Sequence, residues 1–433
     1  MSACGTTVRR RFAGGITRIG LTLACLAVLT AGCPVRRQSG QSGAATDEPL
    51  GVEHTVAEAQ AALDSGDAAS AERLAREALN ARPDSTAAQE ALGLALRRQN
   101  RLEEAAEPLW QVVRARMAGE ETSMAAVEAL DAAGRYGDAV TAARSAVSES
   151  PDSPDANLAL GLLLLGTEHF NEACEALLAA AELEPSSPGI LLSAAEAALG
   201  AGDYDRAAAI VDDAMAAMGE ADDKSGDAAR GMLLLARTHT ERAANPPPPP
   251  AALPPPDDDS DTDDQVSDSP SRSVPVQDDK ALAESYIAEF RRLAGSEAGS
   301  RAAIGEMLVK ARRPEQALAY LTGLPNDAPA EAHTAYAQAL LTLGRGFDTA
   351  LTEAEAGAAD SDDAYAQAIL GWAQWKNGDG ESAAATLSAA VSRIRAPSAR
   401  ARAYYQLGRA LEGLDRAGES SEALAQAKKL GYH

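Results

Sequence analysis

The sequence predicts an all-α solenoid of about ten stacked helical hairpins, and three observations predict it. Ala71, Ala105, Ala139, Ala173 and Ala207 recur at a fixed step of 34 residues. Two further columns of mostly small residues keep that step: Ala59, Gly93, Val127, Gly161 and Ala195, and Ala78, Val112, Ala146, Ala180 and Ala214. The pairs Gly66-Asp67, Gly134-Arg135 and Gly202-Asp203 fall between apolar-periodic runs, where two helices need a turn. A period of this length marks one repeated supersecondary unit. A hairpin with a single apolar face has to stack on its neighbours to bury it.

Taken in order, the first 33 residues read as a targeting segment. Arg9, Arg10, Arg11 and Arg18 form a basic stretch without acids, and "LTLACLAVLTAG" is an apolar core too short for a comfortable membrane span. It ends in "LTAGC", which resembles the bacterial lipobox, with Gly32 directly before Cys33. The resemblance implies cleavage after residue 32 and acyl chains on Cys33, an effectively permanent anchor. An ordinary secretory signal and an uncleaved anchor are the alternatives. Pro34 rather than Asp follows the cysteine, so similarity to Gram-negative sorting implies the outer membrane, periplasmic face. A host with one membrane would place the chain on its outer surface. "RRRF" at Arg9 to Phe12 also weakly resembles a twin-arginine export signal. Residues 33–51 then read as the lipidated cysteine and a short flexible tether.

Five 34-residue units follow, at 52–85, 86–119, 120–153, 154–187 and 188–221. Close approach of two helices explains the small columns, and apolar residues at i, i+3 and i+4, such as Leu158, Leu162 and Leu165, supply the meeting faces. Pro83, Pro151 and Pro185 mark the unit ends. "PDANLALGLLLLGTEHFNEACEALLAAAELEPSS" carries Leu160-Gly161, Phe170 and Ala173 in the pattern of the tetratricopeptide repeat, which the whole array resembles. The C-terminal half repeats the theme with looser spacing. Gly305 with Ala317, Ala337 with Ala350, Gly371 with Ala383, and Leu407-Gly408 mark hairpins starting near 298, 330, 364 and 401.

Between the two arrays, 52–244 and 280–433, lies a different kind of sequence. Residues 245–279 hold the tract "NPPPPPAALPPP" and then an acidic run, with nine Asp against one Arg in the segment. Its composition predicts disorder. The run lacks the glycine and glutamate of a calcium-binding loop. Ala229 in 222–243, and Ala283, Ile287 and Phe290 in 280–294, fit the two helices of a sixth repeat. The segment therefore reads as an insertion inside one repeat, with two flexibly tethered arrays as the alternative. The first reading requires 222–243 and 280–294 to pack as a hairpin.

The chain carries a formal net charge of −25 at pH 7, which excludes nucleic acid or anionic lipid as a ligand of its bulk surface. After cleavage only Cys33 and Cys174 remain, and Cys174, next to Ala173, reads as a buried thiol without a disulfide role. No phosphate-binding loop, zinc-protease helix or nucleophile elbow is present. The histidines, His54, His169, His239, His333 and His433, are scattered singly. No enzyme activity, cofactor, metal or small-molecule substrate is expected.

The resemblance implies that the first helix of each repeat lines a concave groove through repeat positions 2, 5, 9, 12 and 13. That register gives an N-terminal patch of Leu94, Met124, Leu158, Leu162, Leu165, Leu192 and Leu199 beside Arg97 and Arg98. It gives a C-terminal patch of Trp372, Trp375, Arg402, Tyr405 and Arg409. Only 4% of the chain is aromatic, and two of its three tryptophans sit three apart there. Aromatic and arginine side chains dominate interface hot spots, although either tryptophan alone also fits a packing role. The layout resembles bacterial tetratricopeptide lipoproteins. It implies a membrane-anchored scaffold that binds partner proteins and supports assembly of a pilus or secretion machine. An envelope coordinator recruiting a peptidoglycan or outer-membrane-biogenesis enzyme is the alternative.

Overall fold

The computed structural model describes residues 49–218, 226–246, 278–294, 296–359 and 362–432. Cys33, the signal segment, most of the tether and residues 247–277 lie outside the described residues. Every regular element among those described is a helix, and the chain divides into two compact units, Met1–Thr167 and Glu168–His433.

The first unit holds α1 (Pro49–Asp64), α2 (Ala68–Ala81), α3 (Thr86–Arg98), α4 (Leu102–Arg114), α5 (Glu120–Ala132), α6 (Tyr136–Glu149) and α7 (Pro154–Gly166). The second opens with α8 (Phe170–Leu183), α9 (Pro188–Gly200), α10 (Tyr204–Met218), α11 (Gly226–Ala244), α12 (Asp279–Leu293), α13 (Glu297–Lys310) and α14 (Pro314–Leu321). It closes with α15 (Ala330–Leu343), α16 (Phe347–Ala358), α17 (Ala364–Lys376), α18 (Gly380–Val391), α19 (Pro397–Glu412) and α20 (Ala417–Lys429). Consecutive helices pair as hairpins: α1/α2, α3/α4 and α5/α6 in the first unit, and the six pairs from α9/α10 to α19/α20 in the second. The starts of α13, α15 and α17 agree with the sequence register. α19 begins four residues before the expected 401, because Pro397 at its first turn is preset for helix.

The packing gives the period its physical cause. All members of the three 34-residue columns are buried. A Cβ on Gly371 would lie 2.6 Å from Leu387 Cγ, and one on Gly408 would lie 2.6 Å from Leu424 Cγ. Gly93 meets Leu109 and Gly305 meets Leu321 in the same way. In each of these four hairpins a leucine of the second helix therefore fills the place of a side chain missing from the first. The turns also share one geometry. Gly66, Gly134 and Gly202 hold φ of 83°, 70° and 80°. The corresponding turn positions of α3/α4, α13/α14 and α19/α20 hold Asn100, Arg312 and Asp415 in the same left-handed region, which costs an L-residue about 1 kcal/mol. Carboxylates and hydroxyls cap the next helix in several hairpins, as Asp67 does for Ser70 N–H and Asp379 for Ser382 N–H.

α11 and α12 pack against each other across residues 247–277, as an insertion inside one repeat requires. Asp279 Oδ1 lies 2.9 Å from His239 Nδ1, and it accepts from Arg242 Nε at 2.7 Å and Nη2 at 2.5 Å. The His239 ring stacks on Tyr286 at 5.5 Å. Ala283 and Phe290 are buried, and Ile287 packs against the same core cluster. Arg242 also pairs with Asp205 of α10 at 2.7 Å, which ties the hairpin to the one before it.

One contact in the second unit spans most of its length. The backbone N–H and the hydroxyl of Ser398 both donate to the carboxylate of Glu168, the former at 2.9 Å. Glu168 precedes α8, so the turn that opens the unit caps the N-terminus of α19, which lacks a side-chain cap of its own.

Candidate binding groove

In the second unit each first helix touches the next: α9 meets α11, α11 meets α13, and so on through α15, α17 and α19. The second helices make no comparable run of contacts. Stacked hairpins that touch more closely along one side curve toward it, so the first helices line an inner face. The first helices α1, α3, α5 and α7 of the first unit also touch in succession.

The sequence-predicted leucine patch divides in the structure. Leu192 and Leu199 are fully buried, and Leu94 and Leu165 retain 9% and 7% of their exposure, so these four belong to the core. Contact between successive first helices covers side chains on the helix flank, even where the register points toward the groove. Met124, Leu158 and Leu162 stay half-buried. Both arginines of this patch are engaged in holding repeats together. Arg97 Nε donates to Glu128 Oε2 at 2.6 Å, bridging α3 to α5. Arg98 donates to the Leu63 carbonyl at the end of α1.

The C-terminal patch keeps its residues accessible. Trp372 is half-buried and packs on the cluster of Ala337, Leu340, Leu341 and Ile369, so part of that ring is structural. Trp375 is also half-buried and carries the Lys376 ammonium 4.3 Å from its ring centroid. Tyr405 stacks on Tyr432 at 4.6 Å. Arg409 is exposed and pairs with Glu412 one turn on. Arg402 is half-buried beside Tyr365. Burial pushes the Tyr365 phenol above its ordinary value, and the Arg402 charge opposes this; Gln338 of α15 hydrogen-bonds the same side chain. Groove positions of α15, α17 and α19 thus meet at Tyr365. Gln374, between the two tryptophans in sequence, keeps a buried side-chain oxygen without a partner among the described residues.

The structure adds a central cluster that sequence reading missed. Arg230 Nη2 of α11 lies 3.2 Å from Ser193 Oγ and 3.3 Å from Glu196 Oε2, both on α9. Burial pushes the Glu196 carboxyl up, but Lys310 of α13 with Arg230 and Arg237 outweighs it and holds the group below its ordinary value. Glu196 is walled by three helices yet keeps 30% of its side-chain exposure, as a concave surface allows. The signal was available. Glu196, Arg230 and Glu306 share repeat position 9 with Trp372 and Arg409, but charged residues on a helix read first as solvated surface. Among the described residues no group of three or more His, Cys, Asp or Glu is placed to hold a metal ion. No helix among them is long and apolar enough to cross a membrane.

Comparison with known proteins agrees with the geometry. Residues 56–119 and 401–430 each match a tetratricopeptide repeat family model. Residues 132–214 match the model for anaphase-promoting complex, cyclosome, subunit 3. No curated protein matches the chain. Among solved structures, a tetratricopeptide repeat protein from Parabacteroides merdae is 13% identical with a TM-score of 0.40, covering 74% of this chain and 98% of its own. MamA is 20% identical with a TM-score of 0.34, covering 39% of this chain and 91% of its own. YrrB, described as having an unusual peptide-binding site, is 16% identical with a TM-score of 0.35, covering 41% of this chain and 95% of its own. The repeated hairpins, their glycine–leucine contacts and the family matches near both ends give this chain a tetratricopeptide-like repeat fold, with residues 56–119 and 401–430 similar to that family.

Proposed function

We propose that the chain is a scaffold that binds segments of partner proteins on the inner face of its second unit, anchored to a bacterial envelope membrane through Cys33. The observation that carries the binding reading is the groove of α17 and α19. Trp375, Tyr405, Arg402 and Arg409 gather there on an accessible inner face in a chain poor in aromatic residues. The "LTAGC" stretch and the basic, apolar segment before it support the anchor, and with it a place in assembling a pilus, secretion or other envelope complex. The fold offers no choice among such machines.

The test is cross-linking and affinity purification from native membranes, comparing wild type with Trp372→Ala/Trp375→Ala. Trp372 contributes to packing, so Trp375→Ala and Arg402→Gln are run as single variants with helix content checked. A partner recovered with wild type and lost with the folded single variants is expected. An unchanged partner set in all three variants would refute this groove. Metabolic acyl labelling that persists in Cys33→Ser would refute the anchor.

A further inference from the structure

We propose that the proline- and aspartate-rich segment 247–277 is a built-in ligand for the groove of α17 and α19 in the same chain. This rests on that groove being a binding surface, and it names the chemistry the groove accepts: prolines on the tryptophans, followed by carboxylates on the arginines.

Charge argues for it first. In a chain of net charge −25, α17 and α19 carry Lys376, Arg400, Arg402 and Arg409 against the single acid Glu412. Arg402 is half-buried, and its charge reaches the Tyr365 phenol together with the Asp363 carboxylate. A partly desolvated guanidinium gains from each further carboxylate that reaches it. The segment supplies Asp257, Asp258, Asp259, Asp261, Asp263 and Asp264 in one run. Just before them stand Pro246 to Pro250 and Pro254 to Pro256. Proline tracts dock in aromatic-lined grooves because they lose little conformational entropy on binding. Trp372, Trp375 and Tyr405 are the rings such a tract would meet.

Where the segment leaves and rejoins the fold argues for it second. It departs from the C-terminal end of α11 and returns at Asp278, the cap of α12. α11, α13, α15, α17 and α19 are successive first helices in contact, so their C-terminal ends share one edge of the array. Trp375 and Arg409 lie near that end of α17 and α19. From α11 to α17 is three helix steps of about 10 Å each, roughly 30 Å. The eleven residues from Pro246 to Pro256 span up to about 35 Å when extended. The tract thus reaches the tryptophans as the aspartates arrive one step further, at α19. Residues 265–277 reach about 43 Å at full extension, enough for the four steps back, about 40 Å. The order of chemistry along the segment matches the order of helices along the groove, and tethering raises its local concentration to the millimolar range.

The experiment titrates a fluorescent Pro246–Asp278 peptide into the full chain and into a variant with residues 247–277 replaced by a short Gly-Ser linker. The peptide should bind the shortened variant and bind the full chain at least about tenfold more weakly, because the tethered copy competes. Binding to the shortened variant should be lost with Arg402→Gln or Trp375→Ala. It should also weaken at least about tenfold for a peptide with Asp257, Asp258, Asp259 and Asp261 changed to Asn, a change that leaves the folded protein untouched. No binding to the shortened variant, folded by circular dichroism, overturns the proposal, as does equal binding to both proteins. A full chain that sediments as a dimer and becomes monomeric on shortening overturns the same-chain assignment in favour of a second copy. Trp375-dependent partner capture without peptide binding would overturn this proposal alone and leave the scaffold reading standing.

Discussion

Replacing Asp279 by alanine should detach α12 from α11 without unfolding the rest of the second unit. Residues 247–277 occupy a place where a hairpin ordinarily has a turn of about three residues. Closing a loop roughly elevenfold longer costs about 2 kcal/mol of chain entropy. The mouth of that loop is held by Asp279, which accepts two bonds from Arg242 and contacts His239. Asp279 and Arg242 each keep 19% of their side-chain exposure, so solvent screens the pair only partly. Charge-assisted bonds of this kind contribute about 1.5–3 kcal/mol, comparable to the closure cost they offset. Hydrogen exchange read by mass spectrometry should therefore show α12 exchanging about 30-fold faster in Asp279→Ala, the equivalent of about 2 kcal/mol, with α15 to α20 little changed. Cutting residues 247–277 down to a three-residue turn should restore protection. Burial pushes the Asp279 carboxyl up, but the bonds from Arg242 and His239 prevail and hold it below its ordinary value. A depressed carboxyl contributes stability above its unfolded pKa and loses it as pH falls through the folded value. Protection of α12 should therefore be flat at neutral pH and decline below about pH 4. Unchanged exchange of α12 in Asp279→Ala, or loss of protection across the whole unit at once, would refute the reasoning.

Three further outcomes follow from the packing. Gly371→Ala places a Cβ 2.6 Å from Leu387 Cγ and should lower stability by about 1–3 kcal/mol, whereas Gly137→Ala, in open space on α6, should raise it by about 0.5–1 kcal/mol. Equal melting shifts for the two would remove close approach as the cause of the glycine column. Glu196→Gln should flatten the acid limb of the stability profile, because the depressed carboxyl stabilises above the ordinary carboxylate range and loses that contribution below about pH 4. An unaltered acid limb would show that the cations of α11 and α13 do not reach it. Cys174 is 1% exposed and burial pushes its thiol pKa up, so alkylation mapped by peptide mass should occur only after unfolding. Labelling of Cys174 in the native chain would contradict its packing.

The hairpins were legible because their cause is local. A glycine in one helix and a leucine sixteen residues later touch inside one repeat, as Gly371 and Leu387 do, so the spacing carries the contact. The groove was legible only in part, because its lining depends on how one repeat sits against the next. Leu165 and Leu192 share the groove register with Leu158, yet neighbouring helices cover the first two and leave the third half-buried. Glu196 and Lys310 lie 114 residues apart (310 − 196), and no period announces that their charges meet. The turns teach the same lesson. Gly66, Gly134 and Gly202 advertised a left-handed residue, and Asp415 tolerates it, whereas Arg312 adopts it with nothing in its identity to signal it.

The bond between Glu168 and Ser398 gives the second unit a mechanical character. A stack of hairpins joined only to their neighbours stretches and flexes like a coil spring, because each interface yields slightly and the displacements add. A clip between two distant windings removes that softness until it opens. This clip joins two exposed groups over 230 residues of chain by hydrogen bonds that water competes for, so modest tension suffices to release it. The unit then has two compliances, one stiff and one loose, and anything that pulls on one end while the other is held selects between them.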